Sequence, residues 1–144
     1  MPETETPTFE DGDFKDELPA PGYYRSTIGT ARLRRSATSG NDMVQVIHEL
    51  EGVAPGGHDR VADYFVLAGG SPRGRALSRR RLLELYHACG VEPRPGEPID
   101  PADLLGARVE VKVEHDSWQG RPRLRVIAHR RVGAADTTPG HVPF

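Results

Sequence analysis

Aromatic side chains stand beside arginines in the C-terminal part of this chain. Trp118 is the only tryptophan, and Arg121, Arg123 and Arg125 follow it closely. Single-stranded nucleic acids are bound by this combination, because bases stack on aromatic rings while cations neutralise the phosphates. The residue types therefore predict a surface for an anionic ligand that carries bases.

Further candidates for the same surface lie upstream. Tyr23 and Tyr64 alternate with core-forming neighbours, so each is predicted to point outward. An arginine cluster precedes a Gly/Ser/Thr-rich segment and would flank a loop; it consists of Arg32, Arg34 and Arg35.

Each candidate also has a purely structural explanation. Trp118 either stacks against a base or folds back over the end of the sheet as a hydrophobic lid. The arginines of segment 121–125 either contact phosphates or pair with Glu110 and Glu114 across neighbouring strands. The sequence leaves these alternatives open.

Patterns typical of catalysis or metal binding are not found. No histidine pairs with a cysteine or another histidine at a metal-ligand spacing. The glycine-rich segment 69–74 lacks the Gly-Lys-Ser/Thr ending of a phosphate-binding loop and is interpreted as a flexible turn. Cys89 falls on an apolar stripe and is assigned to the core. The sequence therefore predicts a protein that is not an enzyme and has no metal or cofactor.

Five strands and one helix would position the candidate residues. Alternating apolar residues predict strands over 23–35, 43–51 and 61–68, followed by a hairpin with its tip at 116–120. The second hairpin strand has an outward face that is predicted to carry Arg123, Arg125, Ile127 and His129, opposite Leu124, Val126 and Ala128.

Helical spacing predicts one helix over 78–89, with Ser78 as its N-cap and with Leu82, Leu83, Tyr86 and Cys89 on its buried stripe. Residues 79–81 are arginines that would open this helix, where positive charge opposes the macrodipole. A short helical turn is predicted at 100–105. The order of elements is that of a mainly β, five-stranded OB-fold-like barrel with one helix between strands 3 and 4.

Length and composition limit the class of protein further. The 144 residues suit one domain. No apolar run reaches about 18 residues, so no transmembrane helix is expected. The acidic N-terminus does not have the pattern of a secretory signal, and a single cysteine excludes an intrachain disulfide. These features predict a cytoplasmic protein without a membrane partner.

The net charge of -2 combines two opposed parts. Residues 1–20 hold seven acidic residues and one lysine, whereas the rest of the chain holds fourteen acidic and eighteen basic residues. We interpret 1–20 as a flexible acidic leader, 21–132 as the folded domain and 133–144 as a flexible tail. The leader would either compete for the basic surface or recruit a partner.

Several short motifs resemble a family of small phage and prophage proteins. Residues 18–24, LPAPGYY, with Ile28 after them, are similar to that family's LP-x-G-x-Y-x-x-x-I opening. Residues 81–90 resemble its L-x-x-L-x-x-A-x-G helix, and 103–111 resemble its L-x-G-K/R-x-x-x-V start of strand 4. Residues 118–121 resemble its aromatic-x-Gly turn. The resemblance implies an OB-fold and single-stranded DNA binding with little sequence preference, in phage-type replication, recombination or repair.

The last residues add a second resemblance. Val142, Pro143 and Phe144 are similar to the terminal Ile-Pro-Phe of bacterial single-stranded DNA-binding proteins. In those proteins the tip recruits replication and repair partners, which implies a partner-binding tip here. Two other functions stay open: a protein-interaction module on an OB barrel, and a binder of single-stranded RNA. A homo-oligomer is also compatible with the sequence.

Overall fold

The computed structural model describes residues 7–8, 18–35, 40, 42–53 and 58–133. Within these ranges the chain forms five β-strands, one α-helix and a short 3-10 helix. The strands are β1 (Gly22–Arg35), β2 (Asp42–Leu50), β3 (Arg60–Val66), β4 (Arg108–Trp118) and β5 (Arg121–Arg130). Helix α1 (Pro72–Ala88) lies between β3 and β4, and the 3-10 helix (Pro101–Leu104) precedes β4.

The strands form one antiparallel sheet in the order β3-β2-β1-β4-β5. Strand β1 belongs to both halves, because its first part pairs with β4 and its second part with β2. Ser26 and Thr27 pair with both neighbours, and a register shift in the β1–β2 ladder follows between Ile28 and Thr30. The predicted mainly β fold, with five strands and a helix after the third, is confirmed. Among the described strands no ladder joins β3 to β5, so the sheet is not closed into a barrel.

The core lies between the concave side of the sheet and α1, which packs against β3 and β5. The inward positions predicted for β2 and β4 are buried as expected. Removing such side chains from water stabilises the fold by about 1.5–3 kcal/mol each. The large apolar side chains with the least exposure are Ile28, Val44, Val46, Phe65, Leu85, Leu104, Val109, Val111 and Val113.

Helix α1 begins earlier than the prediction placed it. Ser71, and not Ser78, is the N-cap, and its Oγ accepts a hydrogen bond from the backbone N–H of Gly74 at 3.0 Å. Pro72 occupies the first turn, where its missing N–H leaves no hydrogen bond unmade. The predicted loop therefore ends at Ser71, and the arginines at 79–81 lie inside the helix, away from the end where the macrodipole acts.

The buried stripe of α1 also differs from the prediction. Leu82 and Tyr86 are buried as expected, but Leu83 is exposed and Leu85 is fully buried. In the part of the chain that the structure describes, neither α1 nor the 3-10 helix has the length and apolar character that a bilayer crossing requires. The 3-10 helix itself confirms the predicted turn, because the Asp100 side chain accepts a hydrogen bond from the N–H of Ala102 at 3.1 Å.

The β4–β5 hairpin has a shorter tip than predicted. Gln119 and Gly120 both have positive φ, 50° and 75°, as in a two-residue type I′ turn. This turn lets the strands pair up to Trp118 and Arg121. Residues 116–118, predicted as part of the tip, therefore belong to β4.

A β-bulge in β5 overturns one predicted orientation. Val126 pairs with Val113, but the next inward pair is His129 with Val111, so β5 contains one residue more than β4 over this stretch. An extra residue in one strand reverses the alternation of its side chains beyond that point. His129 was predicted on the outward face and is instead buried, at 6% exposure.

Candidate nucleic-acid interface

A hydrogen-bonded ladder crosses the outer face of β1, β2 and β3. In the sheet register Gln45 is opposite both Arg32 and Tyr64. Arg32 Nε donates to Gln45 Oε1 at 2.8 Å, and Gln45 Nε2 donates to the Tyr64 hydroxyl at 3.3 Å. The Tyr64 ring remains exposed, at 45%. The ladder thus joins two of the predicted residues through a glutamine that no sequence pattern singled out.

The residues around this ladder are apolar at the centre and mostly basic at the rim. Met43 and Ile47 are half-buried on the same face of β2. Arg34 and Arg60 are exposed, and strand alternation places them on this face as well. Glu49, opposite Arg60 in the register, is an acidic residue at one border. The face therefore offers one exposed ring among several cations.

A groove runs between β3 and β5 and reaches this face. It has a volume of about 440 Å³ and is lined by Asp63 and Tyr64 from β3, and by Arg123 and Arg125 from β5. Arg81 of α1 also lines it. Three predicted residues from two distant parts of the sequence, Tyr64, Arg123 and Arg125, thus share one concave surface.

The charges in the groove are partly balanced by neighbouring acids. Arg123 lies 3.2 Å from Asp116 Oδ2. A hydrogen bond from the N–H of Ser117, and then one from Arg123, hold the pKa of Asp116 below its usual range. Arg125 is opposite Glu114 in the register. Exposed ion pairs of this kind are weak, so a phosphate can replace the carboxylate.

Tyr23 lies in a different part of the sheet. It pairs with Lys112 of β4, whereas Arg32 is roughly 30 Å further along β1 and pairs with β2. The guanidinium carbon of Arg130 is 3.4 Å from the Tyr23 ring centre, and Lys112 Nζ is 5.9 Å from it. A cation therefore already covers one face of this ring. The structure does not bring Tyr23 to the groove.

The remaining candidates lie near the ends of strands. Arg34 and Arg35 are close to the end of β1, where Arg35 Nε is 3.4 Å from Asp42 Oδ1. Arg121 is exposed beside the β4–β5 turn and pairs with the backbone of Trp118. The side chain of Trp118 lies outside the described atoms.

The predicted partner-binding tip, Val142, Pro143 and Phe144, lies outside the described residues, as does most of the predicted leader. The described end of the leader contacts the sheet. The Tyr24 hydroxyl donates to the carbonyl of Ala20 at 2.6 Å, and His115 Nε2 lies 2.8 Å from the carbonyl oxygen of Pro19.

An interior polar cluster lies directly behind the groove and was missed by the sequence patterns. His48 of β2, Asp63 of β3 and His129 of β5 are all buried, and one donor atom from each lies within 4.8 Å of the other two. A signal existed for His48 and Asp63, because both occupy inward positions of alternating strands. Because the β5 bulge reverses the alternation of side chains, strict alternation placed His129 on the outward face.

The hydrogen bonds around His48 define its tautomer. The Ser26 hydroxyl donates to the carbonyl of Val109 at 2.9 Å, so its oxygen accepts from His48 Nδ1 at 3.2 Å. Nε2 of the neutral ring then carries the lone pair. Burial, and next the neighbouring His129, lower the pKa of His48 to about 4, while Asp63 acts in the opposite direction. The His48 ring is therefore neutral at pH 7.

Ser26, His48 and Asp63 do not form a nucleophilic triad. Ser26 is fully buried, and its hydroxyl proton is held by the Val109 carbonyl and not by the histidine. A serine nucleophile needs an accessible oxygen and a base that takes its proton. The cluster must be explained in another way.

Comparison with known proteins adds no assignment to this geometry. No protein-family model matches the chain, and no curated protein matches it significantly.

Proposed function

We propose that this protein binds single-stranded DNA with little sequence preference, using the groove between β3 and β5 and the adjoining outer face of β1, β2 and β3. The position of Tyr64 carries this proposal. Its exposed ring shares the groove with Arg123 and Arg125 and is linked through Gln45 to Arg32. A base can stack on the ring while the surrounding guanidinium groups contact phosphates.

The proposal includes an OB-type fold. The sheet order, the strand β1 shared between both halves and the helix after β3 all support it. An OB-fold is a partly open five-stranded barrel that binds oligonucleotides on strands 2 and 3 and on the loops joining strands 1–2 and 4–5. Tyr64 lies on that face, Arg35 lies next to the first loop and Arg121 next to the second.

Little sequence preference follows from the chemistry of the groove. Every base has a face that stacks on an aromatic ring, and every nucleotide has a phosphate for an arginine. The resemblance to small phage and prophage proteins supports a role in phage-type DNA replication, recombination or repair.

Fluorescence anisotropy with a labelled oligo-dT strand tests this function. We expect binding at low salt, and an affinity that falls with salt with a slope of about -0.7 per phosphate contacted. No change in anisotropy at low salt would contradict the proposal and favour the protein-interaction alternative. An oligo-rU strand run in parallel separates DNA from RNA, because tighter binding of oligo-rU would favour the RNA alternative.

A further inference from the structure

Three ring nitrogens in the interior cluster are buried without a hydrogen-bond partner in the described part of the chain. They are Nε2 of His48 and both nitrogens of His129. Both histidine side chains are fully buried, and that of Asp63 is 9% exposed. A buried polar atom without a partner destabilises a fold. A group that engages these nitrogens together would offset that loss.

The ligand atoms of the cluster lie close together. His48 Nδ1 is held by Ser26, so Nε2 is the ring nitrogen left to bind a cation. Nε2 of His129 lies 3.3 Å from Asp63 Oδ2 but makes no hydrogen bond to it. Two imidazole nitrogens and one carboxylate oxygen form the donor set of three-ligand zinc sites. Donors bound tetrahedrally to one zinc ion lie about 3.3 Å apart. The ligand atoms of the cluster lie within 4.8 Å of one another, so its wider separations need to shorten when the ion binds.

A carboxylate also lies near the distal nitrogen of His129, without a hydrogen bond to it. Glu84 Oε2 lies 4.0 Å from His129 Nδ1, and Glu84 Oε1 accepts the backbone N–H of His129 at 3.3 Å. A carboxylate on the distal nitrogen is the usual way of orienting a ligating histidine. Ser26 plays the equivalent part for His48.

Arg81 does not occupy the whole carboxylate of Asp63. A single guanidinium nitrogen, Nη2, donates to Oδ1 at 3.1 Å and to Oδ2 at 2.9 Å. Each oxygen of an ionised carboxylate has two acceptor positions, so both keep capacity for a cation. The positive charge of Arg81 nevertheless opposes a nearby metal ion.

Two surface depressions lie beside the cluster. Asp63 lines the groove between β3 and β5. His129 lines a second surface pocket between α1 and β5. The cluster therefore lies beneath these two depressions.

We propose that His48, Asp63 and His129 form a binding site for one divalent cation of the zinc type, coordinated by Nε2 of each histidine and a carboxylate oxygen of Asp63. The three ligands come from β2, β3 and β5. The ion therefore links β3 and β5, the two edge strands that do not pair with each other. Its role is to hold β3 and β5 together beneath the groove. This inference does not depend on the DNA-binding proposal.

Calorimetric titration of the tag-free, chelator-treated chain with Zn²⁺ tests the site, with Co²⁺ absorption as the second readout. We expect one ion per chain, visible cobalt bands typical of low coordination number and a higher melting temperature with Zn²⁺. Mg²⁺ should not bind, because it prefers all-oxygen ligands. Failure of the chain to bind either Zn²⁺ or Co²⁺ would overturn the proposal.

Ligand variants locate the ion. Asp63→Asn and His129→Gln should abolish binding at micromolar Zn²⁺, and Glu84→Gln should weaken it by roughly tenfold. His87→Gln is the matched control, since His87 is exposed and lines the same pocket as His129 without belonging to the cluster. Binding that survives the ligand variants, or that is lost in the control, would show an adventitious surface site.

A gain-of-affinity variant removes the ambiguity of misfolding. Arg81→Gln deletes the positive charge beside Asp63, so the folded variant should bind Zn²⁺ more tightly than the parent. A protein that fails to fold cannot give this result. Unchanged or weaker binding by folded Arg81→Gln would contradict the assignment of Asp63 as a ligand.

Discussion

At the scale of single residues, Tyr64 is held in place through its hydroxyl while its ring remains exposed to solvent. Its hydroxyl accepts a hydrogen bond from Gln45, which is itself held by Arg32. The ring therefore loses little rotational freedom when a base stacks on it, and less free energy is lost on binding.

Replacing Tyr64 tests this stacking. Tyr64→Ala should weaken oligo-dT binding by about 1–3 kcal/mol, roughly 5- to 150-fold, in the anisotropy assay. Tyr64→Phe keeps the ring and should keep most of the affinity. Tyr23→Ala is the matched control, because that exposed tyrosine lies away from the groove and is covered by Arg130. Equal losses in Tyr64→Ala and Tyr23→Ala would place the strand elsewhere on the sheet.

A second residue, Glu110, carries a buried charge on the other half of the sheet. Arg130 Nε donates to Glu110 Oε1 at 2.7 Å, and Arg25 Nε lies 3.7 Å from Oε2. Burial alone would raise the pKa of Glu110, but the hydrogen bonds from Arg130 and from the N–H of Gly133, with the charges of both arginines, outweigh it and lower the pKa.

The lowered pKa of Glu110 gives a pH dependence of stability with a definite sign. The stabilisation is present above the unfolded-state pKa of about 4.5 and is lost as pH falls through the lower folded-state pKa. Glu110→Gln should therefore reduce the free energy of unfolding in urea by about 1–3 kcal/mol at pH 7. The difference from the parent should narrow below pH 4.5, and a constant difference would refute the ionic origin.

At the scale of elements, residue patterns predict the five strands but miss the β-bulge in β5 and the first residues of α1. Strict alternation identifies the buried valines of β4 and the exposed ring of Tyr64. The bulge near Ile127 leaves no such signal, because isoleucine is an ordinary strand residue and one extra residue is visible only in the register of two strands. The interior cluster was hidden for the same reason, since it needs His129 inward and three strands in contact.

The start of α1 is a smaller exception with a clear physical cause. Apolar periodicity is visible only after Ser78, so the pattern placed the start of the helix there. The free energy of the first turns comes from the Ser71 cap and from Pro72, not from a buried stripe.

Two serine variants compare the observed and the predicted cap. Ser71→Ala should lower the free energy of unfolding by about 1 kcal/mol, because it removes the acceptor of the Gly74 N–H. Ser78→Ala lies inside the helix and should be neutral or stabilising by up to about 0.5 kcal/mol. Urea denaturation measures the free energy of unfolding of both variants. A larger loss in Ser78→Ala than in Ser71→Ala would favour a helix that starts at Ser78.

At the scale of the whole molecule, acidic and basic residues are segregated along the chain. The seven acidic residues within 1–20 oppose a body in which basic residues outnumber acidic ones. The described end of this segment lies against the sheet, where Pro19 and Ala20 contact His115 and Tyr24. The acidic residues are thus tethered to the domain that carries the proposed DNA surface.

Removing the acidic segment tests whether it competes with DNA. Deletion of residues 2–17 keeps the contacts of Pro19 and Ala20 and should raise oligo-dT affinity several-fold at low salt. The gain should shrink at high salt, since screening weakens the attraction of the basic surface for the leader and for DNA alike. A leader of equal length with Asn and Gln in place of its acids should behave like the deletion. Unchanged affinity in both variants would mean that the segment serves another partner.

The tight turn after β4 has a spectroscopic consequence. The chain has one tryptophan, and it is the last residue of β4, immediately before the two-residue turn. Its emission therefore reports on a single location, the end of the β4–β5 hairpin, with no attached dye. Quenching on addition of oligo-dT would indicate that the strand reaches the hairpin end, while anisotropy measures total binding. Comparing quenching with anisotropy for oligonucleotides of increasing length then shows how long a bound strand must be to reach from Tyr64 to that end.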